Sequence, residues 1–307
     1  MFEPAPPLPD FLERQLPFHR RVWRIESGID QGRLIHFIDE GDENAIPVVM
    51  LHGNPAWSFL WRKVIAALPE LRRIAPDLLG LGLSDTLPRM SDHPPKRHAD
   101  AIAGLIVALD LRRIILVSQD WGGPIATAVA ARLPDRIAGV ILGNTSVLAP
   151  SRGLRSRFHR FARIPVVSDL VFRGAGFPQN ILHRIQGDPS SIRGDVAKAY
   201  RWPLRGWKRR VAPLAMARMV PDGPGHPSIP ELEQGEAWLR SFDGPLTLIW
   251  GEKDPVLGRA INRHERELPR ARVVRTDAGH FIPEEIPEVI AAEVRVVSQK
   301  AEGRRQK

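Results

Sequence analysis

A chain of 307 residues, 43% of them hydrophobic, is long enough to bury one full-sized core carrying an insertion. It contains no cysteine, which excludes a disulfide framework, a thiolate metal site and a cysteine nucleophile. The net charge of +9 raises the question of a nucleic-acid partner, yet no finger spacing, aromatic RNA-binding signature or basic heptad helix accompanies it, and no such partner is expected.

The opening segment, "MFEPAPPLPDFLERQLPF", lacks the basic-then-apolar order of an export leader, and no apolar run approaches the roughly 20 residues that cross a bilayer. A soluble, cytoplasmic chain with no membrane partner is the expectation. Two β-rich pieces follow, "RRVWRIES" from Arg20 and "RLIHFIDEG" from Arg33, the second alternating as a half-exposed strand does. "IPVVML", ending at Leu51, is a continuous apolar run, as in a strand covered on both faces. Ser58 is placed to cap a helix running to about Leu68.

Strand and helix patterns then alternate: "RRIAP" to Pro76, the glycine-rich loop "DLLGLGLSD", a helix around Ala99 to Leu109, and the strand "RIILVS". A sharp turn at Asp120 leads into a helix with Pro124 in its first turn, and "IAGVILGNTS" is the next strand. Alternation of this kind implies right-handed crossovers and a mostly parallel sheet. From 149 to 229 the alternation stops, and the chain becomes arginine-rich and broken by prolines, which reads as an inserted helical cap. The core, 1–148 and 230–307, resumes with "GPLTLIWGEKDP", "ARVVRTDAGH" and a last helix from about Pro283 to Val297, ending in a basic tail, "AEGRRQK".

The charge is concentrated in the cap. Between Ser151 and Val220 there are 15 Lys and Arg against three Asp, a local +12 that exceeds the +9 of the whole chain. A solvated surface or a subunit contact is the plain interpretation; attraction of anionic substrates or a polyanion is the sharper one.

In an open parallel sheet, residues just beyond the carboxyl ends of the strands converge on the ligand site. Here they are His52-Gly53-Asn54, Asp120-Trp121, Asn144, Asp254 and His280. In chain order, Asp120, Asp254 and His280 supply a nucleophile, an acid and a base, the order found in the α/β-hydrolase fold. The segments "HGNPAWSFLWR", "DLLGLGLSD", "SQDWGGPIA", "WGEKDP" and "DAGHFIPEEIPE" together resemble the haloalkane dehalogenases over nearly the whole chain. That resemblance implies an α/β-hydrolase fold: a mostly parallel eight-stranded sheet flanked by helices, with the cap inserted.

An aspartate at the turn suits that chemistry. Unlike serine, a carboxylate needs no base to become a nucleophile, since its reference pKa is about 3.9. Asp120 can displace a leaving group from sp³ carbon and form an alkyl ester, which water activated by His280 then hydrolyses. Asp254 would orient the imidazole, Glu252 being the nearby competitor that register with the family disfavours. The backbone N–H groups of Asn54 and Trp121 are the oxyanion-hole candidates. The indole N–H of Trp121 is a donor that brings no competing nucleophile, and the resemblance implies that it binds the departing halide together with the Asn54 amide. No metal or cofactor is called for.

One branch of the family carries its acid, a glutamate, after the strand that here ends in Asn144, so this chain resembles the branch with an Asp-His-Asp triad and an Asn-Trp halide pair. His52 is expected to fix its loop, Asp77 and Asp85 to order the glycine-rich loop, and Trp202 and Trp207 to be packing residues. The expected partners are a halogenated aliphatic substrate and a halide ion, with a homo-oligomer as an open option. An epoxide hydrolase is the rival by the same ester route, but such enzymes usually present two cap tyrosines and this chain has one, Tyr200. A haloacetate dehalogenase would place an arginine where Trp121 stands. A non-catalytic binding protein on the same fold is the alternative from another class.

Overall fold

The computed structural model describes residues 1–150 and 157–304. Nine strands form one sheet: β1 Phe2–Pro4, β2 Arg20–Arg24, β3 Leu34–Glu40, β4 Pro47–Leu51, β5 Arg72–Pro76, β6 Ile114–Gln119, β7 Ile137–Gly143, β8 Leu246–Gly251 and β9 Arg272–Thr276, in the order 1-2-3-5-4-6-7-8-9. The pairings from β5 through β9 are parallel, and β1, β2 and β3 join antiparallel at one edge. The sheet thus has one strand more than the eight expected. The extra strand is β1, whose three residues end in proline and are too short to carry a period of their own; it is held by pairing Phe2 with Trp23.

Alternate residues of each central strand feed two apolar layers. Val49 and Leu51 of β4 pack with Ile102, Ile106 and Ile125 on one face, and Val48 and Met50 pack with Trp57, Trp61 and Val294 on the other. β3 is covered on both faces rather than half-exposed: Ile35 and Phe37 join the first layer, Ile38 joins the second, and its polar members His36 and Asp39 are buried. These two are tolerated because each has a partner, His36 Nδ1 at 2.9 Å from Asp77 and Asp39 receiving Arg72 at 2.9 and 3.0 Å.

Two helix boundaries depart from the sequence pattern. Ser58 opens a 3₁₀ turn, Ser58–Trp61, ahead of a short helix, Arg62–Ala66, and its hydroxyl caps nothing; its backbone N–H instead donates to Asp77 Oδ1 at 2.6 Å. The final helix is two, Ile282–Glu285 and Pro287–Gly303, because a proline lacks an N–H and disfavours helical geometry in the residue before it, here Ile286 at φ −131°. The expected basic tail is helical as far as Gly303, and 305–307 lie outside the described residues.

Between β7 and β8 the described residues contain helical turns and no strand. Much of this segment is held by guanidinium groups donating to backbone carbonyls: Arg163 to Arg218 O and Val220 O, Arg210 to Leu204 O and Gly174 O, Arg218 to Ala162 O. Short turns leave many carbonyls without helical partners, and arginine, with five donors, satisfies them. Part of the basic excess is therefore structural; Arg152 and Arg155 lie outside the described residues. Helix Ile229–Ser241 returns to the core, where Gly235 passes so close to helix Gly122–Arg132 that a Cβ would lie 2.5 Å from Thr127 Oγ1.

Candidate active site

β6 ends at Gln119, and the chain turns so sharply that Asp120 takes φ +51°, a left-handed conformation that non-glycine residues adopt rarely and at a cost. The turn is braced on every side. Asp120 N–H donates to Asn144 O at 3.1 Å, Thr145 Oγ1 donates to Asp120 O at 2.6 Å, and Gly123 N–H reaches the same carbonyl at 3.0 Å. Two glycines make the close approach possible: a Cβ on Gly122 would lie 2.0 Å from Leu51 O, and one on Gly53 would lie 2.2 Å from Asp120 Oδ1.

The two carboxylate oxygens of Asp120 have different surroundings. Oδ1 accepts the Asn54 N–H at 2.7 Å, while Oδ2 faces His280 Nε2 at 3.8 Å. Burial raises the Asp120 pKa; the His280 ring and the Asn54 and Trp121 N–H groups act against that rise. His280 follows β9 and is buried. Its Nδ1 lies 2.8 Å from Asp254 Oδ2, beyond β8, a carboxylate acceptor that favours a proton on Nδ1, and Nε2 is turned toward Asp120. Burial lowers the His280 pKa, but Asp254 and then Asp120 outweigh it and hold it above the ordinary histidine value. Burial likewise raises Asp254, and the His280 ring together with the Val256 and Leu257 N–H groups reverse this, leaving it below the ordinary carboxylate value. Glu252 is at the surface, ion-paired with Arg275 at 2.6 Å, and takes no part.

Asn144 sits beneath the pair. Its amide donates to Asp254 Oδ2 at 2.8 Å and to Gly279 O at 3.1 Å, and its Oδ1 accepts Gly251 N–H at 2.7 Å. It ties β8 to the His280 loop and supports the acid without being one. Gln119 has no signal in the sequence beyond standing next to the nucleophile. Its amide nitrogen lies 3.1 Å from His280 O and 3.3 Å from His280 Nε2. Gln186, also missed, reaches from the insertion to the backbone of the residue after His280, its Oε1 accepting Phe281 N–H at 2.9 Å.

The Asn54 amide donates to Pro213 O of helix Val211–Arg218 at 2.9 Å, the one hydrogen bond its side chain donates among the described residues. The Trp121 indole makes no hydrogen bond among the described residues, and its ring, with Asn54, Asp120 and His280, lines a cavity of about 570 Å³. The remaining lining is largely apolar, including Leu148, Phe158, Phe177, Ile181, Leu232 and Leu257. His52 lies behind this wall: Leu78 N–H donates to its Nε2 at 3.0 Å and its Nδ1 meets Gly53 O at 2.9 Å, so both ring nitrogens are committed and it fixes the loop. Asp77 and Asp85 order the glycine-rich loop as expected, receiving the N–H groups of Leu83 at 2.8 Å and Leu34 at 2.9 Å. Trp202 is half-buried, but Trp207 is exposed and does not pack in the interior. The described residues hold no cluster of metal-ligating side chains.

Asp120 on a strained turn at one strand end, with Asp254 and His280 following later strands of one mostly parallel sheet, has the arrangement of an α/β hydrolase, and residues 46–287 match the family profile for the alpha/beta hydrolase fold. The chain is 34% identical over 296 residues to haloalkane dehalogenase 2 of Mycobacterium tuberculosis, spanning 91% of this chain and 94% of that one. It is 30% identical over 256 residues to a haloalkane dehalogenase of Mycolicibacterium paratuberculosis, covering 82% and 83% of the two chains. The fold superimposes with a TM-score of 0.78 on the tetrameric haloalkane dehalogenase of Paraglaciecola agarilytica, at 24% identity, over 95% of this chain and 97% of that one. The chain belongs to the haloalkane dehalogenase family, hydrolases acting on carbon–halide bonds.

Proposed function

We propose that dehalogenation proceeds through an alkyl ester on Asp120, with His280 as the base and Asp254 as its anionic partner. The observation that carries this reading is the division of labour at the nucleophile, Oδ1 held by the Asn54 N–H at 2.7 Å and Oδ2 left facing the cavity and His280. Oδ2 attacks the halogen-bearing carbon in line, the carbon–halogen bond breaks, and the halide leaves onto the second Asn54 amide N–H and the Trp121 indole N–H. His280 Nε2 then takes a proton from water, and the resulting hydroxide adds to the ester carbonyl. The oxyanion forms on Oδ1, which the Asn54 N–H already serves, with the Trp121 backbone N–H beside the carboxylate as second donor. On collapse the ester C–O bond breaks, the departing alkoxide takes the proton held by His280 and leaves as the alcohol, and the Asp120 carboxyl loses its proton to water.

An apolar cavity of about 570 Å³ suits a halogenated aliphatic of modest size. The single tyrosine, Tyr200, is buried with its hydroxyl on Glu284 Oε1 at 2.7 Å, which disfavours the epoxide reading, since the acid that would protonate an epoxide oxygen is tied elsewhere. The cap is taken as 149–229, and the core as the two flanking segments. A homo-oligomer is proposed as the working assembly, with the tetrameric relative as its support.

The test uses His280→Gln with 1-bromobutane, read by bromide release and intact mass. One equivalent of bromide, with a butyl increment on the peptide that contains Asp120, is expected. No adduct would overturn the ester route, and an adduct formed with styrene oxide but not with bromobutane would move the reading to an epoxide hydrolase.

A further inference from the structure

Five of the nine large apolar side chains exposed among the described residues lie together on the cap. Ile164, Val166, Val167 and Leu170 occupy consecutive turns, with Val166 68% and Leu170 58% exposed, and Trp207 stands beside them with its ring 4.2 Å from the Arg173 guanidinium. Val166 takes φ +63°, a left-handed conformation that a β-branched residue almost never adopts, so the chain is strained where it projects the most apolar surface. Contiguous exposed apolar surface of this kind marks an interaction site.

The rim decides the partner. Arg160, Arg205 and Lys208 are exposed and have no carboxylate within ion-pairing distance among the described residues, whereas the nearby acids are already neutralised, Asp169 by Arg173 and Arg218 and Asp222 by Arg163. The patch therefore shows aliphatic side chains and a tryptophan at its centre and unpaired cations at its edge. A second copy meeting it about a two-fold axis would set the unpaired Arg160, Arg205 and Lys208 of one copy against cations of the other. Fixed negative charge over an apolar interior is its complement, and an anionic bilayer presents both.

We propose that this face of the cap seats the protein on an anionic lipid surface, Ile164, Val166, Val167, Leu170 and Trp207 entering the interface and Arg160, Arg205 and Lys208 meeting the headgroups. No helix among the described residues is long and apolar enough to cross a membrane, so the association is peripheral. It revises the expectation of no membrane partner and stands independently of the triad assignment. Phe158 and His159, which line the cavity, lie in the helix just before the patch, so docking brings that wall of the cavity to the phase in which apolar haloalkanes concentrate.

The full-length protein is sedimented with vesicles of phosphatidylcholine alone and of phosphatidylcholine with about one third phosphatidylglycerol. Binding to the anionic vesicles at least about tenfold stronger than to the neutral ones is expected, weakened but not abolished by high salt. The double variant Val167→Glu, Leu170→Glu should lose about tenfold or more of that binding, while releasing halide from a water-soluble bromoalkane at the wild-type rate without vesicles. Absence of binding to anionic vesicles, or binding that the double variant retains, would overturn the proposal. So would a dimer in sedimentation velocity that the double variant dissociates, which would assign the face to a second copy.

Discussion

At the strand ends of the core, the polar groups proposed to do the chemistry are buried or half-buried and held by short, directional contacts: Asp254 by His280, Val256 and Asn144, and Asp120 by Asn54 and Thr145. In the cap, the residues over the same cavity are mostly aliphatic and aromatic, on short turns tied together by arginines reaching backbone carbonyls. The contrast separates two kinds of information. Chemistry needs groups placed within a few tenths of an ångström, which strands with fixed hydrogen-bond partners provide. Enclosing an apolar substrate needs shape and dryness, which many different apolar side chains supply. Three of the contacts between the regions bear on the site: Pro213 O orients the Asn54 amide, Ile185 O accepts His280 N–H at 2.8 Å, and Gln186 grips the backbone of Phe281.

The sharpest way to break this division is at the core. Asp120→Asn should reduce halide release by about 10⁴-fold or more, and activity retained in a protein whose mass confirms the asparagine would remove the nucleophile. Asp254→Asn should lower kcat by about 10² to 10⁴ and also change the pH profile. If His280 is the base it works as neutral imidazole, and activity should be lost as pH falls through its pKa, which Asp254 and Asp120 hold up against burial. Removing Asp254 lowers that pKa, so the acid limb of kcat should move to lower pH; a limb that stays put would assign the titration to another group.

Smaller effects are expected where cap and core touch. Trp121→Phe should slow the single-turnover halide burst about 10- to 100-fold, with a change in unfolding free energy of no more than about 1 kcal/mol. Glu285 accepts Gly187 and Asp188 N–H at 3.0 and 2.9 Å from the cap side and Gly279 N–H at 3.1 Å from the His280 loop. Glu285→Ala leaves three donors without that acceptor and should cost about 1 to 3 kcal/mol of stability. Because its grip is on the His280 loop, it should also slow ester hydrolysis several-fold more than alkylation; equal slowing would make the residue merely structural. The least effect is expected at Arg163→Ala, which removes donors to Arg218 O and Val220 O at the half-buried edge of the cap. A stability loss of about 1 kcal/mol with an unchanged burst would show that the cap's arginines hold the cap without touching the chemistry.

The strands from β4 through β8 and the residues beyond their ends were legible because a buried parallel strand is a short apolar run bounded by turns, and the first residues after it face the site; β2, β3 and β9 were legible from β-rich composition between turns. β1 was not legible, being three residues long and identified only by its partner β2. The polar partners within β3 were misread for a related reason: alternation in the sequence implied a solvent face, and only packing from both sides reveals that His36 and Asp39 are buried and paired.

What the sequence by itself determined is the set of groups whose identity the chemistry demands: a carboxylate on a glycine-flanked turn, a histidine and a second carboxylate after later strands, a donor-only indole, and asparagine in place of an acid at residue 144. What only the tertiary structure decided is how each group is used. The tautomer of His280, the unequal surroundings of the two Asp120 oxygens, the part of Asn144 as a tie, and the hold of Gln119 and Gln186 on the base all depend on distances between residues far apart in the chain. A residue's type sets which bonds it can form, but which of them form depends on what folding brings within about 3 Å of it.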